Sequence, residues 1–308
     1  MLAPGGEVEG ASPWVTFALE SLALYPAFVE ELQDESGSPI DYRASGAVEL
    51  AADPEEWAVL INRRRAQAPL GIPSETLDRR AVAAAVPGLG VPCVAGAFYP
   101  EDALVDPPTV LAALRTACER RGVRVVEGCR VHALTLRPDG VEAATAAGSI
   151  GAGAAVLAAG AWSSQVAVMG APAPAAPVEP VRGHLVGYGM PAGTLGPIVR
   201  SGQHYPLQRA SGLVVAGPPW NGGFRPPDRP GYRGPPRCRR LLPGLRAAGP
   251  PAPWLGFRPA VEGSGPRVER FHDTRLWLAY GHFRNGILLA PATALRIASS
   301  ITGASGTR

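Results

Sequence analysis

Apolar residues recur at helical spacing near the beginning of the chain. Ser12-Pro13 is typical of a helix start. The apolar positions that follow at helical spacing are Trp14, Phe17, Leu22, Tyr25, Phe28, Val29 and Leu32. We therefore expect an amphipathic first helix. Similar signals predict a second helix from Asp53-Pro54 through Arg65 and a short third helix after Asp78.

The clearest predicted helix follows Asp106. This aspartate is a favourable N-cap, Pro107 suits the first helical position, and Gly122 suits the end of the helix. The apolar positions between them are Val110, Leu111, Leu114 and Cys118. The pattern predicts that one face of this helix is buried.

After Gly122 the pattern changes to short β-rich runs. The predicted strands are residues 123–126, Val131–Leu136, Val141–Thr145 and residues 154–158. Further β-rich stretches cover residues 181–189 and 204–216, and residues 286–301 read as a closing helix. Helices that lead into strands, with a meander and a buried strand, predict α/β architecture.

Composition limits the class of protein. The chain has 308 residues, of which 46% are hydrophobic and 18% charged, which is typical of a globular fold. No run of about eighteen apolar residues is present, so we expect no membrane span. The net charge of +3 is small despite arginine clusters at 63–65 and 237–240, so we expect no nucleic-acid partner.

The cysteines and the N-terminus add little chemistry. Cys93, Cys118, Cys129 and Cys238 lie far apart without C-x-x-C spacing, so we expect reduced thiols and no metal site. The first residues lack a secretory signal pattern, which favours a cytoplasmic location.

Two stretches rich in Pro, Gly and Arg, residues 217–240 and 262–274, show no helical or strand period. They are either long loops or, as we hypothesise, shifted reading frames in the source DNA.

A glycine-rich turn opens the predicted closing helix in the string Gly281-His-Phe-Arg-Asn-Gly-Ile-Leu-Leu-Ala-Pro-Ala-Thr293. Unpaired N–H groups and the positive end of a helix suit the electron-rich pyrimidine edge of a reduced flavin. The string is very similar to the C-terminal flavin signature of glycine oxidases, within the D-amino-acid oxidase family. The resemblance implies FAD as cofactor, the Arg284 side chain over flavin and substrate, and backbone contacts from Asn285, Gly286, Ile287 and Leu288. The alternative is a capped helix with a surface arginine.

Two further strings resemble the substrate side of this family. Trp254-Leu-Gly-Phe-Arg-Pro259 resembles its W-x-G-x-R-P motif, which implies that Arg258 clamps the substrate carboxylate through a bidentate fork. Gln203-His-Tyr-Pro-Leu-Gln-Arg209 and the strand after it resemble the family's substrate-domain strand. The resemblance makes Tyr205 a second carboxylate anchor. The alternatives are a surface salt bridge for Arg258 and a half-buried strand tyrosine for Tyr205.

The remaining resemblances concern FAD. The string Ala155-Val-Leu-Ala-Ala-Gly-Ala-Trp-Ser163 resembles the strand and glycine turn beneath the pyrophosphate and ribose. It implies cofactor contacts from Ala159, Gly160 and Trp162, and Gly128-Cys-Arg-Val131 implies a backbone contact of Val131 with the adenine. Met1-Leu-Ala-Pro4 resembles the segment beside the flavin, which adds Met1 and Leu2 to the predicted contacts.

The family's opening strand, G-x-G-x-x-G turn and helix have no counterpart in the sequence. We therefore expect an α/β fold with an incomplete Rossmann-like FAD-binding domain, its first βαβ unit missing, interleaved with a substrate domain on a mixed, largely antiparallel sheet. Residues 1–46, 101–179 and 257–308 are predicted to form the FAD-binding domain. Residues 47–100 and 180–256 are predicted to form the substrate-binding domain.

The resemblance implies a function in amino-acid oxidation. Hydride transfer from the α-carbon of glycine or a similar small amino acid to the flavin, imine hydrolysis and reoxidation by O₂ would give H₂O₂, in the service of thiamine thiazole synthesis. The expected partners are the amino acid or amine and O₂, with a homo-oligomer as a further possibility. The alternatives are another family member acting on a D-amino acid, proline or a sarcosine-like amine, and an inactive remnant unable to hold FAD.

Overall fold

Helices and strands alternate along the chain in the computed structural model, which describes residues 1–172, 177–202, 204–217, 236–246, 248, 252–261 and 265–303. The helices in these residues are α1 (Pro13–Ser36), α2 (Pro54–Gln67), α3 (Arg79–Ala85), α4 (Pro107–Arg120), α5 (Pro236–Leu241) and α6 (Gly286–Thr302), with short 3₁₀ helices at Pro4–Gly6, Ala68–Leu70, Gly160–Gln165 and Pro243–Arg246. The strands are β1 (Tyr42–Arg43), β2 (Ala47–Ala51), β3 (Glu75–Asp78), β4 (Ala95–Tyr99), β5 (Leu104–Val105), β6 (Val131–Leu136), β7 (Val141–Thr145), β8 (Gly148–Ala152), β9 (Ala155–Leu157), β10 (Ala167–Met169), β11 (Val178–Gly189), β12 (Ile198–Arg200), β13 (Tyr205–Gln208), β14 (Leu213–Gly217), β15 (Ala252–Val261), β16 (Arg267–Arg270) and β17 (Leu276–Tyr280).

Side-chain caps explain where the predicted helices begin. The Asp53 carboxylate accepts a hydrogen bond from the Glu56 N–H at 2.8 Å at the start of α2. Asp78 accepts from the Ala81 N–H at 2.7 Å at the start of α3. Such caps satisfy N–H groups that have no partner inside the helix. These helix starts, α4 and the closing helix α6 confirm the sequence-based predictions.

The chain divides into two compact units. The first contains Met1–Leu19, Ser38–Ala113 and Gly183–Gly256, and the second contains Glu20–Gly37, Leu114–Arg182 and Phe257–Arg308. Residues 1–19, 38–46 and 101–113 thus group with the segments that the sequence assigned to the substrate domain, and not with the predicted FAD-binding segments. The functional role of each unit stays a prediction.

Unit 1 is built on three sheets. β1 pairs with β5, and the order of a second sheet is β12-β2-β4-β3. A third sheet has the order β13-β14-β11-β15, and β11 and β15 both continue along the chain into unit 2. Apolar residues of the second and third sheets meet in a core that includes Val48, Val186 and Val214. Burial of each such side chain contributes roughly 2 kcal/mol.

Unit 2 contains two sheets with parallel and antiparallel pairs. One has the order β10-β6-β7-β8 and the other has the order β16-β17-β9. Their common core includes Leu134, Leu157, Leu278 and Tyr280. Mixed and antiparallel sheets with helices agree with the predicted α/β class.

Two sequence-based expectations need correction. Residues 123–126 form no strand, and the side chains of Val123, Val125 and Val126 are 52%, 45% and 52% exposed. A valine-rich run has strand propensity, but a strand also needs a hydrogen-bonded neighbour, and none pairs with this run in the described part of the chain. Within the stretch 262–274, β16 pairs with β17, so a strand is present there. Most of the stretch 217–240, namely 218–235, lies outside the described residues, as do 262–264.

Candidate functional site

Two predicted cofactor strings lie at one sheet edge in unit 2. β9 and β17 are parallel neighbours, with Leu157 opposite Leu278. The chain leaves β9 into Ala159 and Gly160, and it leaves β17 into the turn that begins at Gly281. Because parallel strands end at the same edge, both glycine turns lie at the carboxyl edge of this sheet, where open α/β sheets bind their ligands.

Gly160 leaves the backbone open at this edge. Its φ is +55°, in the left-handed region that favours glycine, and a Cβ built on it would meet no atom within 4 Å. A local hydrogen bond holds the turn, in which the Ser163 hydroxyl donates to the Gly160 carbonyl oxygen at 2.9 Å. A ligand can therefore approach the backbone closely at Gly160.

The second turn, residues 281–285, has a constrained backbone. Gly281 has a φ of +82°, and a Cβ there would lie 2.6 Å from Val261 Cγ2. Phe283 has a φ of +48°, which is unusual for a bulky residue. Its N–H donates to the Pro259 carbonyl oxygen at 3.0 Å, and the Asn285 N–H donates to the His282 carbonyl oxygen at 2.9 Å. Strained positions of this kind concentrate at ligand sites.

His282 fastens the turn to helix α6. Its Nε2 lies 2.9 Å from the Thr293 hydroxyl oxygen. Burial lowers the pKa of His282 from 6.5 to about 4. The imidazole is therefore neutral at neutral pH and serves here as a hydrogen-bonding group rather than as a charge.

The beginning of α6 presents backbone donors. The first helical hydrogen bond runs from the Leu289 N–H to the Asn285 carbonyl oxygen at 2.9 Å. The preceding N–H groups, those of residues 286–288, have no carbonyl partner within the helix, and the Asn285 side chain makes no capping hydrogen bond. Together with the helix dipole, these donors favour a ligand that carries negative charge.

Helix α1 braces the first turn of α6. Pro291 lies inside α6 and has no N–H, so it cannot donate to the Ile287 carbonyl four residues earlier. The Tyr25 hydroxyl donates to this carbonyl instead. One turn earlier on α1, the Ser21 hydroxyl accepts from the Ala292 N–H at 3.2 Å. No motif in the sequence pointed to Tyr25 or Ser21, although a proline inside a helix signals the need for such partners.

Arg258 and Arg284 flank a backbone contact. Pro259 and Phe283 are joined by the 3.0 Å hydrogen bond described above, so the strand and the turn that carry the two arginines are adjacent. Both side chains are half-buried. Arg258 Nη1 lies 3.5 Å from the Arg182 carbonyl oxygen, which is a weak contact.

An aromatic surface lies beside the glycine turns. The rings of Trp162 and Phe257 meet edge to face, with centroids 6.3 Å apart. They remain 53% and 43% exposed, which is unusual for side chains of this size. Exposed apolar surface next to backbone donors fits a planar heteroaromatic ring such as a flavin. The residues present at this edge therefore fit the predicted cofactor.

The other predicted site residues lie elsewhere in the chain. Val131 begins β6, in the sheet of unit 2 with the order β10-β6-β7-β8. Met1, Leu2 and Tyr205 belong to unit 1. Leu2 is fully buried in a bridge to Ala103, and Tyr205 is half-buried opposite Gly217. Gln203, the first residue of the quoted tyrosine string, lies outside the described residues.

Unit 1 also has a surface cavity without a predicted role. Its volume is about 790 Å³, and its lining includes Trp57, Ile61, Arg65, Ile72, Thr76 and Glu101. None of the predicted site residues lines it. Within the described residues, no group of three or more His, Cys, Asp or Glu could hold a metal ion, and no helix there has the length and apolar character needed to cross a membrane.

Comparison with known families decides the class of the protein. The family model DAO, FAD dependent oxidoreductase, matches residues 1–300. The chain belongs to the DAO family of FAD-dependent oxidoreductases. This DAO-family membership confirms FAD as the cofactor and the assignment as a flavin-dependent oxidoreductase, both of which the motifs predicted.

Relatives of this DAO-family chain include oxidases of amino acids. It is 31% identical to the glycine oxidase of Geobacillus kaustophilus, over 98% of this chain and 81% of that protein. It is also 31% identical to the bifunctional protein ThiO/ThiG of Synechocystis sp., over 98% of this chain, but it spans only 44% of that protein's length. The crystal structure of the Geobacillus kaustophilus glycine oxidase superposes with a TM-score of 0.89 at 29% identity, covering 99% of this chain and 84% of that one. The predicted fold class is thereby confirmed.

Proposed function

We propose that the protein catalyses FAD-dependent oxidative deamination of glycine or a similar small amino acid. The observation that carries the proposal is the sheet edge in unit 2, where the Gly160 turn, the uncapped beginning of α6 and the exposed Trp162–Phe257 pair provide a surface suited to a flavin. Relatives named glycine oxidase, at 31% identity over 98% of the chain, support the choice of substrate class.

The substrate carboxylate is assigned to Arg258 and Tyr205, with Arg284 nearby. A guanidinium fork pairs with a carboxylate through two parallel hydrogen bonds, which fixes both position and orientation. Orientation of the α-carbon is the main contribution that this reaction requires from the protein.

The side chains at the turn supply no strong base. When bound, FAD would supply the redox chemistry, as acceptor of the hydride from the substrate α-carbon and as donor of two electrons to O₂, which would give H₂O₂. The imine product hydrolyses to the oxo acid and ammonia. His282 is neutral but is occupied with Thr293, so its role is to hold the turn. The uncapped N–H groups of residues 286–288 stabilise negative charge on the ligand at the helix end.

A reconstitution experiment tests the proposal. The purified chain is incubated with FAD and freed of excess cofactor. Its absorbance at about 450 nm then measures the flavin that stays bound. H₂O₂ formation is then measured with glycine, sarcosine, D-alanine and L-proline. We expect bound flavin and the highest kcat/KM with glycine or sarcosine. A yellow protein that oxidises D-alanine or L-proline best would overturn the proposed substrate class. A chain that never retains FAD would favour the alternative of an inactive remnant.

We further propose that the reaction supplies the thiazole branch of thiamine synthesis, which rests on the likeness to ThiO/ThiG of Synechocystis sp.. The cytoplasmic location and the homo-oligomer expected from the sequence remain predictions.

A further inference from the structure

A buried group of charges lies in unit 1. Arg200 on β12 stands directly opposite Glu49 on β2, and its Nε lies 2.9 Å from Glu49 Oε2. Arg200 Nη1 also donates to Asp102 Oδ2 at 2.6 Å. Arg200, Glu49 and Asp102 are all buried, with relative residue exposures of 4%, 5% and 3%. Arg63 Nη2 approaches Glu49 Oε2 at 3.2 Å, so two cations and two carboxylates balance.

Asp102 connects this network to residues 1–8, the segment that contains Met1 and Leu2. Its Oδ1 accepts a hydrogen bond from the Gly5 N–H at 3.1 Å. The next residue, Ala103, exchanges two backbone hydrogen bonds with Leu2, at 2.7 and 2.8 Å. Residues 102 and 103 therefore hold the segment at two points, one through a side chain and one through the backbone.

Gln67 holds the same segment from α2. Its Nε2 donates to the Gly5 carbonyl oxygen at 3.0 Å and to the Val8 carbonyl oxygen at 2.6 Å. Gln67 is fully buried, so these bonds are shielded from water. Both backbone groups of Gly5 are thus bound by buried side chains.

The segment also passes very close to the network. A Cβ on Gly5 would lie 2.4 Å from Tyr99 Cδ1, and a Cβ on Gly6 would lie 2.5 Å from Arg200 Nη1. The Arg200 guanidinium in turn lies over the Tyr99 ring, with Cζ 4.9 Å from the ring centroid. The short distances leave no room for a side chain at either position, so glycine is required at both. They also fix the distance between the backbone of this segment and Arg200.

Buried ion pairs add little net stability, because desolvation offsets their attraction. They do impose geometry, since each partner must stay in place to avoid an unpaired buried charge. We propose that Arg200 and Asp102 are positioning residues, which hold residues 1–8, and with them the predicted flavin contact Met1, in one conformation. The inference rests on the proposed function and on the prediction from the sequence that this segment contacts the cofactor.

The test compares Arg200→Lys, Arg200→Met and Asp102→Asn with the matched control Arg137→Met. Arg137 also pairs with a carboxylate, Glu142 at 3.0 Å, but on an exposed hairpin. Hydrogen exchange of residues 1–8 is measured without FAD, and the FAD dissociation constant and visible spectrum are measured with it. We expect faster exchange at Leu2 and Gly5, a shifted flavin spectrum, and FAD binding weakened by about ten- to a hundredfold. Arg200→Lys should be milder than Arg200→Met, and the control should resemble the wild type.

Loss of thermal stability alone, with unchanged exchange, spectrum and FAD affinity, would overturn the inference. If Arg200→Met does not fold, Gly6→Ala provides a second variant that keeps Arg200, because its methyl group would lie 2.5 Å from Arg200 Nη1 and would displace the guanidinium. Wild-type protein that binds no FAD would refute the proposed function. In that case the exchange measured without FAD still decides whether Arg200 and Asp102 hold the segment.

Discussion

The N–H of Phe283 donates a hydrogen bond to the carbonyl oxygen of Pro259 at 3.0 Å. This bond joins two strings that lie more than twenty residues apart in the sequence and that each carry an arginine one residue away. Because a backbone bond fixes the spacing of the two main chains, Arg258 and Arg284 start from adjacent points of unit 2. The bond makes a shared role in ligand binding geometrically feasible.

Two replacements of Arg258 distinguish the contribution of its positive charge to substrate binding from the contribution of the planar guanidinium fork. We expect Arg258→Lys to raise the KM for glycine by about tenfold and Arg258→Met by about a hundredfold, because hydrogen bonds to charged groups contribute about 1.5–3 kcal/mol. Steady-state H₂O₂ formation measures both values. The exposed arginine variant Arg137→Met should keep the wild-type KM. An Arg258→Met protein with unchanged KM would assign the arginine to a surface contact instead.

Gly217 provides a test of Tyr205. A Cβ on Gly217 would lie 2.4 Å from Tyr205 Cζ and 2.6 Å from its hydroxyl oxygen, so Gly217→Ala must move the ring. If the hydroxyl binds the substrate carboxylate, Tyr205→Phe should raise KM by about tenfold, and Gly217→Ala should raise it at least as much. The double variant should add little to either change.

Gly189→Ala is the matched control for this experiment. Gly189 ends β11, a neighbour of β14, and a Cβ there would meet no atom within 4 Å. KM should therefore stay at the wild-type value. Equal effects of Gly189→Ala and Gly217→Ala would show that the change in KM does not come from Tyr205.

His282 predicts a pH dependence of stability. Burial lowers its pKa from 6.5 to about 4, so between these values the unfolded chain binds more protons than the folded protein. The contribution to the free energy of unfolding is complete above about pH 6.5 and is lost as the pH falls toward about 4. It amounts to at most about 3 kcal/mol. Urea unfolding at several pH values should show a shallower acid dependence for His282→Gln, and parallel curves would contradict the assignment.

Local signals in the sequence predicted the helices well. Asp53, Asp78 and Pro107 mark helix starts through caps and fixed backbone angles, which act over a few residues. Strands were harder to predict, because pairing with distant segments decides them. Residues 123–126 have strand propensity but no partner among the described residues, whereas Ala47–Ala51 forms a fully buried strand between β12 and β4.

Sequence-based prediction of the candidate site is limited in the same way, because contacts between distant segments leave no local signal. The strings around Gly160 and Arg284 could be predicted from the sequence, because their glycines and helix start lie within a few residues of each other. The Arg200–Asp102–Gly5 network could not, because its members are about a hundred residues apart and each is an ordinary residue in its own context. Only the pairing of β12 with β2 brings Arg200 opposite Glu49.

The brace between α1 and α6 leads to a prediction about folding energy. Tyr25→Phe removes the donor to the Ile287 carbonyl, which Pro291 cannot replace. We expect the free energy of unfolding to fall by about 1–2 kcal/mol. In a Pro291→Ala background the N–H at position 291 can donate to the same carbonyl, so Tyr25→Phe should cost much less there. A double-mutant cycle by urea unfolding should give a coupling energy of about 1 kcal/mol between the two positions, whereas additive effects would mean that the hydroxyl does not stand in for the missing helical bond.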